Sequence, residues 1–136
     1  MKVNGSHKEL AFLFCLLCTL LLVFLFISLK TSEESFTELY FEDHTNLPST
    51  IALGETYDFS FSIHNLEQET TNYEYVVYIV EEDGTTTLVD SSSIKLKNEE
   101  TATIGESFTL EDSFTTAKLV VELNTGEEIH FWITQQ

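Results

Sequence analysis

Cys15 and Cys18 form a C-x-x-C pair, the spacing that in a soluble protein suggests redox chemistry or zinc binding. Both fall inside an uncharged apolar run, where a thiolate or a metal ion would be badly solvated, so they read as small apolar packing residues. His44, His64 and His130 are the other candidates for zinc, and none has a histidine at the H-x-H or H-x-x-x-H spacing. Any zinc site would have to be assembled by the fold. Oxygen ligands for calcium cluster at Glu42-Asp43 and Glu81-Glu82-Asp83, without the D-x-D-x-D-G pattern of a dedicated loop.

Nucleophilic and acid–base catalysis fare no better. The chain has no G-x-S-x-G elbow and no Cys/His pair outside the apolar run, and its serines lie in strand and turn contexts. Acidic pairs such as Glu111-Asp112 are expected from composition alone and do not mark a glycosidase. The expectation is a protein that is not an enzyme, with no cofactor, no catalytic residue and no metal site.

Charge narrows the class of partner. Residues 31–136 hold 22 of the 23 acids and three of the six lysines, a net charge of −19, and the chain has no arginine. Phosphate binding needs clustered Lys or Arg, so nucleic acid is excluded as a partner. Anionic lipid headgroups are repelled for the same reason.

The elements that must position any site begin with "LAFLFCLLCTLLLVFLFISL", residues 10–29, which carries no charge. About 20 apolar residues in a helix span about 30 Å of hydrocarbon. A cleavable signal peptide has a shorter apolar region and small residues at its cleavage site, which "FISLKTSEE" does not supply. A lipoprotein signal needs a small residue before the acylated cysteine, where Phe14 and Leu17 stand. The reading is therefore an uncleaved signal anchor. Lys2 and Lys8 precede the run, against Lys30 after it, so a short cytoplasmic N-terminus (1–9) and an exported C-terminal part are expected at a cell membrane. Residues 30–35 form a stalk. Asn4-Gly5-Ser6 is a glycosylation sequon on the cytoplasmic side, and residues 31–136 contain none.

From Phe36 to Gln136 the pattern is that of strands. In "TYDFSFSIH", Tyr57, Phe59, Phe61 and Ile63 alternate with Asp58, Ser60, Ser62 and His64, which predicts a half-buried strand with one wet face. "FTELYF" (36–41) and "IAL" (51–53) precede it. "YEYVVYIV" (73–80) is apolar on both registers, as in a strand covered on both sides. "TTLVDSSSIKL" (86–96) reads as one edge strand or two short ones, "TATI" and "SFTL" as two pieces interrupted by Gly105, and "AKLVVEL" (117–123) with "IHFWI" (129–133) as a terminal hairpin. About seven short strands, punctuated by turns roughly every 8–12 residues, predict an all-β, immunoglobulin-like β-sandwich. A small β-barrel is the alternative. The exported part has no cysteine, so its core alone holds it together.

"FTELYF", "LPSTIALGETYDFSFSIHNLEQETTNYEYVVYI" and "IHFWI" together resemble domain-of-unknown-function family 1616, found in archaeal and some bacterial membrane proteins. The resemblance covers most of Phe36 to Ile133. It implies an immunoglobulin-like fold at the membrane surface, and it brings no activity and no catalytic residues. Other members can carry several membrane helices, whereas one is expected here.

One surface stands out. In the terminal strand Ile129, Phe131 and Ile133 share one face, and His130 and Trp132 the other. If Leu119, Val121 and Leu123 face the core, then Val120 faces out beside His130 and Trp132, and Val76, Tyr78 and Val80 extend the face from the earlier strand. Val76, Tyr78, Val120, His130 and Trp132 thus form the expected partner surface, for a second protein or for self-association. Packing of Trp132 under "EDHTNLPST", with Pro48 on its ring, or at the membrane interface, is the competing expectation. The functional expectation is a membrane-anchored, non-enzymatic interaction or envelope-accessory protein. A calcium- or carbohydrate-binding β-sandwich module is the alternative.

Overall fold

The computed structural model describes residues 6–28 and 34–136. The chain forms two compact units, Met1–Glu34 and Ser35–Gln136. Lys2, Asn4, Leu29 and Lys30, with the stalk residues 31–33, lie outside the described residues.

In the first unit, α1 runs over Ser6–Ser28. It holds no glycine or proline and is rich in leucine, so nothing interrupts the helical ladder. Its 23 residues make a rod about 35 Å long. Thr19 Oγ1 donates to its own helix, at the carbonyls of Leu16 (2.8 Å) and Cys15 (3.1 Å). Cys15 and Cys18 are free thiols. No helix among the described residues is long and apolar enough to cross a membrane. The apolar run expected as a span over residues 10–29 is helical over its described part, up to Ser28.

The second unit is a two-sheet sandwich of eight strands: β1 (Phe36–Phe41), β2 (Thr50–Ile51), β3 (Thr56–Leu66), β4 (Thr71–Glu81), β5 (Thr86–Leu96), β6 (Thr101–Thr109), β7 (Thr116–Leu123) and β8 (Glu128–Gln135). One sheet has the order β1-β3-β6, the other β2-β8-β7-β4-β5. All pairs are antiparallel except β2 with β8.

Alternation decides which faces meet. Phe59, Phe61 and Ile63 of β3 turn inward against Tyr75, Val77 and Ile79 of β4, Leu119 and Val121 of β7, and Phe131 and Ile133 of β8. Aromatic rings bridge the two sheets edge to face: Phe41 on Phe131 (5.2 Å), Phe61 on Tyr75 (5.4 Å) and Phe59 on Phe131 (5.7 Å). Each such pair adds about 1 kcal/mol beyond the area it buries.

Several expectations need correction. Gly105 does not interrupt β6; it sits opposite Ser60 in a continuous ladder with β3, and space is open where a side chain would be. β5 takes the first of its two expected forms, one edge strand, with an irregularity opposite Val77/Tyr78. "IAL" contributes little strand, because the chain turns at Gly54, whose φ of +75° suits glycine. The wet register of β3 is not wet throughout: Ser62 is buried, its hydroxyl donating to Glu42 (2.6 Å) and bonded to Thr103 (2.7 Å). β4 is covered on one face alone, since Val76 is exposed and Tyr78 and Val80 are half-buried.

Candidate functional site

The outer face of the five-stranded sheet is set by register. Across β5, β4, β7 and β8 one row reads Leu88, Tyr78, Val120, His130, and the next Thr86, Val80, Lys118, Trp132. Val76 lies in the row on the other side, beside Glu122. Trp132 is 58% exposed, Leu88 63% and Val76 38%. The strand register of β8 places Ile133 and Phe131 in the core and His130 and Trp132 outside. The ring neighbour of Trp132 is His130, edge to face at 6.2 Å.

Val120 is a correction. It stands on the outward register but has no exposed surface. Its neighbours explain this: the Tyr78 hydroxyl donates to the Glu122 carboxylate at 3.0 Å, so the tyrosine ring is held across the short valine, with His130 on the other side. Burial, with the Glu122 carboxylate next, pushes the Tyr78 phenol up to about 12.

Leu88 is the residue missed by counting alternate positions. Ile94, Ser92 and Asp90 lie opposite Tyr73, Tyr75 and Val77 on the inward register, which by parity would send Leu88 inward too. The irregularity inserts Val89 as an extra residue and turns Leu88 outward, opposite Tyr78.

Charged side chains share this face: Glu122 and Glu74 flank Val76, and Lys118 lies between Val80 and Trp132. Lys118 Nζ and His130 Nδ1 each lie 3.7 Å from Glu128 Oε1. Such exposed pairs fix orientation more than they stabilise.

The metal candidates disperse. His64 Nδ1 is 2.9 Å from Glu38 Oε2 on the other sheet, and His130 belongs to the apolar face. No group of three or more His, Cys, Asp or Glu side chains among the described residues could hold a metal ion. The acidic loops serve their own turns. Asp43, at φ 46°, accepts from Asn46 Nδ2, and Asp83 accepts the Thr85 amide, which lowers its carboxyl below the usual range.

No family model matches the chain, and no curated protein matches it. Solved structures do. A β-glucosidase from Listeria innocua in complex with glucose is similar over 74% of this chain, at 16% identity and a TM-score of 0.61, with this chain spanning 16% of that enzyme. The alkylpurine DNA glycosylase AlkC of Pseudomonas fluorescens is similar over 76% of this chain and 31% of its own, at 15% identity and a TM-score of 0.60. The CARDB domain of the PF1109 protein from Pyrococcus furiosus, solved with di-metal ions, matches over 76% of this chain and 90% of its own, at 12% identity and a TM-score of 0.60. At these identities the likeness is one of fold: a β-sandwich that recurs as part of larger enzymes and nearly alone in the CARDB domain.

Proposed function

We propose that the chain is a membrane-anchored, non-enzymatic interaction module, whose immunoglobulin-like sandwich binds a protein partner outside the cytoplasm through the outer face of its larger sheet. The observation that carries this reading is the exposure of Trp132 on β8, Leu88 on β5 and Val76 on β4, all on the outer face of the same sheet. Large apolar side chains exposed on one sheet face mark a partner site, and aromatic residues are enriched in such sites. The likeness to the CARDB domain, over nearly all of that domain, supports the immunoglobulin-like architecture.

The anchor rests on the sequence of residues 10–29 and on two properties of α1. Its large apolar side chains from Leu10 to Leu25 are exposed, with no polar stripe to face water. Its one threonine returns its hydroxyl to the helix, as hydrocarbon surroundings require.

Crosslinking capture from native membranes tests the reading, with full-length wild type beside Trp132→Ala and Leu88→Ser, after circular dichroism shows all three folded. Capture of a defined partner, lost in the folded variants, is the expected result. Equal capture by all three removes the face from the function. Release of the wild type by alkaline carbonate wash would remove the anchor.

A further inference from the structure

In β8 the hydrogen-bonding groups divide by parity. Leu123 N donates to Glu127 O, so the odd-numbered residues bond to β7. The even-numbered residues turn their N–H and C=O the other way, where Thr134 N and Gln136 N meet Ser49 O and Ile51 O of the β2 segment. That cover ends there. β2 pairs with Thr134 and Gln135 alone, and among the described residues no strand pairs with Glu128, His130 or Trp132 on that side. A cavity of about 550 Å³ opens beside the start of this edge, lined by Glu38, Leu39, Tyr40, Glu127, Glu128 and Ile129.

We infer that the free edge of β8, from Glu128 to Ile133, accepts an extended segment of a second protein in which basic residues alternate with apolar ones. It deepens the interaction reading and rests on it. An open edge offers a row of main-chain donors and acceptors to an added strand, and alternate side chains supply the specificity. Outward positions of the segment fall beside Glu128 and Trp132: a carboxylate at one end and an exposed indole at the other, both of which attract a cation. Inward positions fall beside Ile129 and Phe131, at the groove with Leu39, and these want apolar side chains. The charge of −19 on residues 31–136 draws a basic segment and repels a second copy of this chain. The β2 segment blocks the far end, so a copy's long β8 hairpin does not fit where a short peptide does.

The test uses the full-length chain in neutral detergent micelles and three synthetic hexapeptides: alternating lysine and valine, the same residues as a lysine block then a valine block, and alternating glutamate and valine. Trp132, the sole tryptophan, reports binding by its fluorescence, and amide hydrogen exchange reports the site. The expected result is that the alternating basic peptide binds about tenfold tighter than the block peptide. It protects the His130 and Trp132 amides, weakens with added salt, and leaves the glutamate peptide inert. His130→Pro deletes an N–H outside the β7 ladder, so the sandwich persists while binding falls about tenfold or more. Should that variant unfold, Glu128→Lys decides, because it reverses the charge at the same edge. Equal binding of the alternating and block peptides, protection elsewhere, or no binding at millimolar peptide overturns the inference. Failure of the peptide, with membrane capture still sensitive to Leu88 and Trp132, overturns the edge alone. Peptide binding without any captured partner overturns the interaction reading alone.

Discussion

The Tyr73 hydroxyl donates to Asn65 Oδ1 at 3.1 Å, tying β4 to β3 where the chain leaves one sheet for the other. Both residues are fully buried. The Asn65 amide donates to Glu69 O (2.8 Å) and Leu96 O (3.0 Å), and its oxygen also accepts the Glu67 amide (2.9 Å). All four of its hydrogen-bonding positions are used. Thr37 Oγ1, 2.8 Å from the same tyrosine oxygen, brings β1 into the network.

Removing the hub should therefore cost more than removing a spoke. Asn65→Ala leaves two carbonyls, an amide and a hydroxyl without their partner and should lower stability by about 3 kcal/mol, against about 1 kcal/mol for Tyr73→Phe. Urea denaturation of the two variants, with unchanged slopes, measures both. Equal losses would mean that Tyr73 and not Asn65 organises the crossover.

Glu106 stands on the inward register of β6, opposite Phe59, and meets Asp90 of β5 across the two sheets. Burial raises its carboxyl above the usual 4.5, and the Asp90 carboxylate raises it further. The folded state thus holds a proton that the unfolded state has lost, so stability falls as pH rises from 4.5 through the raised folded value. Glu106→Gln should flatten this fall and be the more stable protein at neutral pH, and Asp90→Asn should lessen it. Denaturation midpoints against pH, wild type minus variant, isolate the effect from the general repulsion of an acidic chain.

Strict alternation made β3 and β8 legible in the sequence, because Phe59, Phe61 and Ile63, like Phe131 and Ile133, bury one face and set the alternate residues on the other. The outward turn of Leu88 has no such signal, since a single extra residue reverses parity and leaves no compositional mark. Val120 faces outward as its register predicts and is nevertheless covered: direction is local, whereas the cover comes from Tyr78 of the neighbouring strand β4, held by Glu122. The pairing of β2 with β8 joins segments more than eighty positions apart, which no local pattern encodes. The free edge of β8 is a consequence of how short that pairing is.

The phenol of Tyr78 supplies a direct check on its cover. It is pushed up to about 12 by burial and by the Glu122 carboxylate. Ultraviolet titration should find one tyrosine ionising near that value, absent in Tyr78→Phe, and Glu122→Gln should bring it back toward 10.0. Between these limits the folded protein keeps a proton that the unfolded chain releases, so stability declines across this alkaline window.

Adjacent residues at the end of β8 should behave oppositely. Ile133 has no exposed surface and Trp132 is 58% exposed. Ile133→Ala opens a cavity in the core and should cost about 2–5 kcal/mol. Trp132→Ala, despite deleting a far larger side chain, should cost under about 1 kcal/mol, and Leu88→Ser about 0.5 kcal/mol or less, because neither is packed on the far side. Urea midpoints of the three variants decide it. If Trp132→Ala proves as costly as Ile133→Ala, the indole is part of the fold. If it is nearly neutral, the sheet carries an exposed tryptophan and leucine that the sandwich does not need for stability, which leaves them free to meet a partner.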